Sequence, residues 1–231
     1  MVDFLAVGTH PDDVEIGVGG ALASLIMRGN TCAVLDLTSG EPTPHGTPET
    51  RAEETKKSNA MLGVTQRINL GLPNRRLMDS PEARIKVAEV YRTLRPKVLF
   101  LPYWVDAHPD HIQSSQLSQS ARFVAKYTKT DMAGDPFYPP KVFYYFCSHL
   151  KKIAEPVSFV LDVSAGFEKK MAAIRAYHSQ FFAGDPARGE DLLRRIEAQA
   201  VYFGGLVGAR YGEPFFSHET IGLASLDVFL S

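Results

Sequence analysis

Two short segments of this 231-residue chain combine histidine, proline and aspartate in the same order. They are His10-Pro11-Asp12-Asp13 and His108-Pro109-Asp110-His111. In each segment the proline fixes its own φ and favours an extended conformation for the histidine before it, so the turn is tightly specified. Imidazole and carboxylate groups are usual ligands of catalytic metal ions. The two segments together therefore predict one metal site in a hydrolase.

The residue types within the segments indicate how a metal would be held. A catalytic zinc ion takes three protein ligands and keeps one coordination position open. Two imidazoles and one carboxylate are available across the two segments, and they are His10, Asp13 and His111. The expected metal is Zn²⁺, and Fe²⁺ or another divalent transition metal is an alternative, because the same ligands accept it.

The other three side chains match the proton chemistry of amide hydrolysis. Asp12 lies beside the predicted ligands and suits a general base. A protonated His108 suits stabilisation of an oxyanion or protonation of the leaving amine. Asp110 is placed to hold that imidazole in its charged form and orientation. We therefore predict Asp12, His108 and Asp110 as catalytic residues.

Helix capping is the alternative interpretation of these aspartates. Asp12, Asp13 or Asp110 could each serve only as an N-cap, because aspartate is favoured at that position. Capping alone, however, does not account for two copies of His-Pro-Asp, each with an additional histidine or aspartate. The pair of segments therefore favours the metal site.

The elements around the segments alternate between β-rich runs and helical periods. A nearly continuous apolar run over residues 3–9 predicts a strand buried on both faces, and residues 98–101 predict another. Each strand leads into one His-Pro-Asp segment. The alternation predicts a three-layer, Rossmann-like α/β fold with a mostly parallel sheet and helices on both faces. Since ligands bind at the carboxyl edge of such a sheet, we expect the segments to meet there.

The rest of the chain shows the same pattern and no domain boundary, so we expect a single domain over residues 1–231. Further strands are predicted at 31–37, 67–70, 142–146 and 159–163. Helices are predicted from about residues 14, 47, 80 and 109 onward and over 164–181. Surface loops are predicted at 39–48, 133–140 and 183–189.

Composition excludes several classes of function. The formal net charge is −1, with 25 basic and 26 acidic residues mixed along the chain, so no basic surface for nucleic acid is indicated. The most apolar run, 98–105, contains Pro102 and is too short to span a bilayer, and the N-terminus lacks the pattern of a signal peptide. Cys32 and Cys147 are interpreted as buried free thiols. We expect a cytoplasmic protein with a small-molecule substrate and no membrane contact.

Around the two segments, an ordered set of motifs resembles one family. The set comprises residues 8–17, 36–41, 46–51, 69–73, 102–104, 108–111, Tyr177-His178-Ser179-Gln180-Phe181 and Tyr211-Gly212-Glu213-Pro214-Phe215. From about residue 3 to residue 216 the chain resembles the LmbE-like (PIG-L) metal-dependent N-deacetylases. It is most similar to the bacterial branch that includes the bacillithiol biosynthesis deacetylase.

The resemblance implies a zinc enzyme that removes the acetyl group from an N-acetylglucosaminyl conjugate. A bacillithiol-precursor-like GlcNAc-malate, or a related N-acetyl sugar, is the implied substrate. The matching positions imply Asp12 as general base, His108 at the oxyanion, and metal ligands at His10, Asp13 and His111. A homo-oligomer, up to a hexamer, is also implied.

Arg51 is the first candidate for binding the substrate. It falls in the first turn of a predicted helix, where the helix dipole disfavours a cation. Glu53 and Glu54 could offset that cost, which leaves a solvated surface arginine as an alternative. The resemblance implies instead that Arg51 binds sugar hydroxyls or an anionic group. Further candidates for the sugar pocket are Glu41 and Asn74 or Arg75.

The chain departs from the bacillithiol-type pattern near the second segment. Ala107 stands where an arginine is common, Asn74 where aspartate is favoured, and Arg76 where glycine is usual. Residues 183–191, which help to cover the site in relatives, do not align clearly. Loss of a guanidinium removes a bidentate clamp for a carboxylate. The departures therefore argue against the malyl conjugate more than against deacetylation.

Three rival functions remain at this point. Gly17-Val18-Gly19-Gly20 raises the possibility of a nicotinamide-binding Rossmann protein, but these glycines fall about one helical turn beyond the first βα turn that the fingerprint requires. A non-catalytic binding protein would be expected to have lost a ligand or the base, and this chain keeps all of them. The third rival is an amidase that cleaves a larger amide conjugate of glucosamine.

Overall fold

The fold is taken from a computed structural model, which describes residues 1–146 and 156–227. Its strands are β1 Phe4–Gly8, β2 Cys32–Thr38, β3 Gln66–Leu72, β4 Val98–Pro102, β5 Lys141–Tyr145, β6 Phe159–Asp162 and β7 Gly212–Phe216. Its helices are α1 Asp13–Met27, α2 Pro48–Leu62, α3 Pro81–Leu94, α4 Pro109–Val124, α5 Phe167–Arg175, α6 His178–Phe181 and α7 Pro186–Leu206.

The strands form one sheet in the order β3-β2-β1-β4-β5-β7-β6. The strands β1 to β5 pair in parallel, whereas β7 runs antiparallel to both β5 and β6. The chain moves outward from β1 to β2 and β3, then returns to place β4 on the other side of β1. The boundary between β1 and β4 is therefore the topological switch point of the sheet, where α/β proteins bind ligands.

Apolar side chains fill the space on both faces of the sheet. One buried cluster joins α3 and α4 to the sheet, and another joins α1 and α5 to the opposite face. The strand β2 is buried along its whole length, as expected for a strand covered by helices on both sides. These two cores confirm the predicted three-layer α/β fold.

The starts of α2 and α3 follow from their sequences. The side chains of Thr47 and Ser80 accept hydrogen bonds from the backbone N–H groups of Thr50 and Ala83. A proline follows each capping residue, where its missing N–H costs nothing and its φ already suits a helix. These local signals made both helix starts predictable.

The C-terminal third differs from the prediction. The helix predicted over 164–181 is two helices, α5 and α6, which are separated at Ala176 and Tyr177. The Tyr177 hydroxyl donates to the buried Glu15 carboxylate. The predicted loop at 183–189 contains the start of α7, where Asp185 caps the helix and a proline follows. The helix α7 and the strand β7 had not been predicted.

Two buried charged groups attach β7 to the helices α1 and α5. The Glu213 carboxylate accepts backbone hydrogen bonds from Gly20 and Ala21 of α1, at 3.0 and 2.7 Å. Lys170 donates to the same carboxylate at 2.6 Å, so that the charge is neutralised where it is buried. Cys32 is a buried free thiol, and Cys147 lies outside the described residues. Among the residues described, no helix is long and apolar enough to cross a membrane.

Replacement of Gly166 by alanine is expected to lower the free energy of unfolding by about 1–3 kcal/mol. A Cβ at this position would lie 2.4 Å from the carbonyl oxygen of Gly20 and 2.7 Å from the backbone N of Ser24. Gly205, in α7, has open space around it, so Gly205→Ala is the matched control and is expected to stabilise by about 0.5–1 kcal/mol. Urea unfolding measures both changes. Equal effects at the two positions would contradict close packing between α1 and α5.

Candidate metal and catalytic site

The two His-Pro-Asp segments meet at the switch point. The strands β1 and β4 pair through Ala6 and Phe100, and each segment lies in the connection between one of these strands and the helix after it. The imidazole centroids of His10, His108 and His111 lie between 4.7 and 5.4 Å from one another. Sequence reasoning placed these residues together, and the structure confirms it.

The three predicted metal ligands form a compact group. One potential donor atom from each of His10, Asp13 and His111 lies within 4.8 Å of the others. The Asp13 carboxylate lies between the rings, with Oδ2 3.2 Å from His10 Nδ1 and Oδ1 3.3 Å from His111 Nε2. Two imidazoles and one carboxylate match the ligand set of catalytic zinc, so the site fits such a metal. His10 also belongs to a second, overlapping group with His108 and Asp110.

The electrostatics of Asp13 suit a ligand. Burial alone would raise the pKa of its carboxyl group, but the charge of His111 and the hydrogen bonds of His10 and His111 outweigh burial and hold that pKa well below its usual range. The carboxylate also accepts the backbone N–H of His10 at 2.9 Å. Asp13 is therefore ionised and fixed in orientation, as metal binding requires.

Asp12 occupies the N-cap position of α1 but does not cap the helix with its side chain. Its carboxylate instead accepts from Nη2 of Arg51 at 3.0 Å, which removes the capping alternative for this residue. Burial raises the pKa of Asp12 to about 7, although the Arg51 guanidinium opposes the shift. A buried carboxylate of this kind, next to the metal ligands, has the properties of a general base.

The backbone of Asp12 has a φ of 129°, a conformation that residues with side chains rarely adopt. Asp12→Gly and Asp12→Ala both remove the carboxylate, but only the alanine variant keeps a Cβ in this conformation. We expect the glycine variant to be more stable than the alanine variant by about 1–3 kcal/mol. Chemical denaturation of both variants measures the difference. A less stable glycine variant would show that the backbone at this turn is not strained.

His108 and Asp110 contact each other differently from the prediction. The backbone N–H of Asp110, rather than its carboxylate, bonds to His108 Nδ1, at 3.1 Å. The Asp110 carboxylate accepts the backbone N–H of Arg75 at 2.6 Å and lies 3.8 Å from His10 Nε2. Burial and the neighbouring imidazoles lower the pKa of His108. The lowered pKa favours a neutral ring over the predicted charged one, and acceptance at Nδ1 leaves Nε2 to carry the proton.

Asp106 is a site residue that sequence reasoning missed. Its side chain is fully buried, and its Oδ1 accepts the backbone N–H of His108 at 2.7 Å. Its Oδ2 lies 3.2 Å from His111 Nδ1, on the side of the ring away from Asp13. A carboxylate behind a ligating histidine fixes its tautomer and orientation. The available signal was the position of Asp106 two residues before His108, because an aspartate side chain often accepts the backbone N–H two residues further along the chain.

Arg51 is 4% exposed, so the alternative of a solvated surface arginine is wrong. It lines a cleft that opens above His10, Asp13 and His111. Besides its bond to Asp12, its Nη1 lies 4.0 Å from the Glu41 carboxylate. Within the described part of the chain, the Nε and Nη1 atoms of Arg51 have no hydrogen-bond partner. Buried N–H groups of this kind suit oxygen atoms of a ligand.

The other candidates for the sugar pocket, Glu41, Asn74 and Arg75, have local partners. The Glu41 carboxylate accepts from Thr43 and from Gln180, which ties the 41–46 loop to α6. Its role in the structure is therefore to support this loop. Asn74 lines the cleft, and its side-chain oxygen accepts the backbone N–H of Arg75. Arg75 also lines the cleft, and its Nη2 donates to the carbonyl oxygen of Pro42. Contact of any of these residues with a substrate stays a prediction.

A buried polar network lies behind the group formed by His10, Asp13 and His111. The sequence analysis did not predict it. The Arg67 guanidinium makes two bonds to Asp36, at 2.7 and 2.9 Å, and one to Glu15 at 2.6 Å. Ser58 and Tyr177 donate to the same Glu15 oxygen, at 2.6 and 3.0 Å. Because Glu15 lies in the first turn of α1, this network fixes the turn that carries Asp12 and Asp13.

The cluster opens into a cleft of about 800 Å³. Its lining includes the metal-binding group, the loops after β2 and β3, and the side of α7 that faces the sheet. Fold and site together define a class: α/β proteins that present a His/Asp cluster at the carboxyl edge of a parallel sheet, at the floor of an open cleft.

Residues 5–122 match the family described as PIG-L, GlcNAc-PI de-N-acetylase, and the chain belongs to this family of deacetylases. The diacetylchitobiose deacetylase of Thermococcus kodakarensis is 31% identical over 224 residues, which cover 90% of this chain and 80% of the relative. These matches confirm the family that the sequence resembles, the PIG-L deacetylases.

Two solved structures extend the comparison. The conserved protein TT1542 from Thermus thermophilus is 38% identical, with a TM-score of 0.89 and coverage of 98% of this chain and 99% of that one. GalB, the 4-carboxy-2-hydroxymuconate hydratase from Pseudomonas putida KT2440, is 22% identical, with a TM-score of 0.81 and coverage of 98% and 100%. At that identity the likeness to GalB shows the fold alone.

Proposed function

We propose that this protein is a zinc-dependent hydrolase that removes the acetyl group from an N-acetylglucosaminyl conjugate. The observation that carries the proposal is the group formed by His10, Asp13 and His111, with the buried Asp12 carboxylate beside it. The family match and the activity in the name of the Thermococcus relative support the choice of an N-acetyl sugar. A bacillithiol-precursor-like GlcNAc-malate and a related N-acetyl sugar are both within the proposal.

The residues of the chain divide the reaction between them. When bound, zinc supplies Lewis-acid polarisation of the amide carbonyl. Asp12 takes a proton from the attacking water, and Arg51 holds the carboxylate in position. The Nε2–H of His108 donates to the oxygen that gains negative charge. The carbon–nitrogen bond then breaks, and the proton collected by Asp12 passes to the leaving amine, which yields acetate and the free amino sugar.

The test combines metal analysis of the purified protein with an acetate-release screen. The panel contains N,N'-diacetylchitobiose, GlcNAc-malate and a simple methyl N-acetylglucosaminide. We expect about one zinc per chain, acetate from at least one sugar, loss of release after chelation and recovery after zinc is returned. Acetate release that survives complete removal of metal, or no release from any member, would refute the proposal.

An amidase acting on a larger acyl group is the second candidate. The observation that favours it is the volume of the cleft, about 800 Å³, which exceeds what an acetyl group needs. Substrates with one sugar and an N-acetyl, N-butyryl or N-octanoyl group separate the two candidates. A deacetylase loses kcat/KM as the acyl chain grows, whereas an amidase for larger groups gains it.

The assembly is part of the same proposal. We expect a homo-oligomer, up to a hexamer, on the basis of the family resemblance. Four exposed apolar side chains near the end of α7 would be covered in such an assembly, namely Val201, Tyr202, Leu206 and Val207. Light scattering coupled to size-exclusion chromatography measures the mass, and a mass of one chain at micromolar concentration would contradict this expectation.

A further inference from the structure

The helix α7 forms one wall of the cleft. The residues that line the cleft recur at helical spacing along one face of α7, and they include Arg188, Leu192, Arg195, Ile196, Gln199 and Phe203. This face lies outside the segment that matches the family, which ends at residue 122. The wall formed by α7 is therefore a feature of the C-terminal part of the chain.

The acidic side chains of α7 are all engaged by other partners. Glu190 accepts from Arg175 at 2.6 Å, and Glu197 accepts from the Tyr211 hydroxyl at 3.1 Å. Asp191 is bonded to Arg194, one turn further along the helix. None of these three carboxylates lines the cleft. The charge on the cleft face of α7 therefore comes from its arginines.

Arg188 and Arg195 are the two arginines on that face. Within residues 1–146 and 156–227, neither guanidinium has an ion pair or a hydrogen bond. The nearby Asp185 carboxylate accepts the backbone N–H of Arg188 as a helix cap. The two positions are seven residues apart, which places them two turns and roughly 10 Å apart on one side of the helix.

Other charges in the cleft do not neutralise this pair. Among the described lining residues, Asp12 is bonded to Arg51, and Glu213 is bonded to Lys170. Asp13 lies between the imidazoles of the metal group. The carboxylates of the described lining are thus committed, and the outer cleft is positive although the whole chain has a net charge of −1. A local excess of this sign attracts an anionic ligand.

We propose that the substrate carries a phosphate or carboxylate group away from its N-acetyl group, and that Arg188 and Arg195 bind this anion. The inference rests on the proposed deacetylation and adds the chemical class of the conjugate. The planar guanidinium donates two parallel hydrogen bonds to either anion, which favours arginine over lysine in this role. Leu192 and Ile196 line the cleft on the same face of α7 and provide apolar surface beside the two exposed guanidinium groups.

The test uses product analogues that bind without being hydrolysed. Glucosamine 1-phosphate, glucosamine 6-phosphate and malyl glucosaminide are compared with methyl glucosaminide by calorimetry on the zinc-loaded protein. We expect at least one anionic ligand to bind about tenfold more tightly than the methyl glycoside, and to lose that preference in 0.5 M salt. Whether a phosphate or the malyl ligand is preferred identifies the anion.

Two variants assign the effect to α7. In the Arg188→Gln/Arg195→Gln double variant, the dissociation constant of methyl glucosaminide divided by that of the preferred anionic ligand is expected to fall to about 1. Arg194→Gln is the matched control, because Arg194 lies on the same helix, is bonded to Asp191 and does not line the cleft. This control is expected to keep the preference of the unaltered protein.

Each outcome decides one of the two proposals. Equal binding of all ligands to the unaltered protein, or a preference that survives in the double variant, would overturn the anion site. If the preference depends on the arginines but the N-acetyl forms release no acetate, the anion site stands and deacetylation falls. If acetate is released while charged and neutral ligands bind equally, deacetylation stands and the anion site falls.

Discussion

Asp13→Ala is expected to abolish metal binding and activity together, whereas Asp12→Ala is expected to retain metal and lose about 10²–10⁴-fold in kcat. The two carboxylates are adjacent in sequence but have different partners. Asp13 lies between His10 and His111, and Asp12 is bonded to Arg51. Removing Asp13 therefore removes a ligand, and removing Asp12 removes the proton acceptor. Metal content by mass spectrometry and initial rates of acetate release measure the two effects.

Asp106→Asn provides a graded comparison. Asp106 lies behind His111 and does not belong to the groups that could hold the metal. Its replacement is expected to weaken metal affinity by about 10–100-fold without abolishing it. Titration with zinc in a competing chelator gives the affinities of the three variants. Full activity of Asp12→Ala, or full metal content of Asp13→Ala, would show that the roles are assigned wrongly.

Arg67→Met is expected to cost about 3–5 kcal/mol of stability. The guanidinium is buried and bonds to both Asp36 and Glu15, so its removal leaves two buried carboxylates without their cation. Methionine retains most of the apolar volume, which limits the cost of a cavity. The free energy of unfolding in urea measures the loss. Activity is expected to fall as well, because Glu15 lies on the turn that carries Asp12 and Asp13.

Arg84→Met is the matched control for this prediction. Arg84 also makes two bonds to one aspartate, Asp79, at 2.6 and 2.7 Å, but the pair lies near the surface. A pair of this kind contributes at most about 1 kcal/mol. A similar cost for both variants would show that the network around Arg67 is not more important than a surface ion pair.

The metal group was predictable because its determinants are local. The apolar runs over 3–9 and 98–101 predict buried strands, and a parallel sheet brings the carboxyl ends of these strands to one edge. The positions of His10, Asp13 and His111 then follow from topology alone. The spacing of Asp106 and His108 was a signal for the bond between them, but the approach of Asp106 to His111 depends on the shape of the turn and was not predictable.

The buried network and the C-terminal third were not predictable for a different reason. Arg67 lies on the edge strand β3, where a charged residue usually faces solvent. It is buried because distant residues, Glu15 and Asp36, provide its partners. In α7 the glycines at 189, 204 and 205 weaken the helical pattern, and the packing of Gly189 against Phe182 explains one of them. Tertiary contacts override local preference in both cases.

The position of the metal group at the switch point has a consequence for the lifetime of the folded chain. Its outermost members, His10 and His111, flank β2 to β4 along the chain, and an ion held by both would act as a removable cross-link across that half of the sheet. Any ligand that binds only the folded form adds its binding free energy to stability. Scarcity of metal would then lead first to thermal loss and proteolysis of the chain, so that the amount of protein in a cell would track its metal supply.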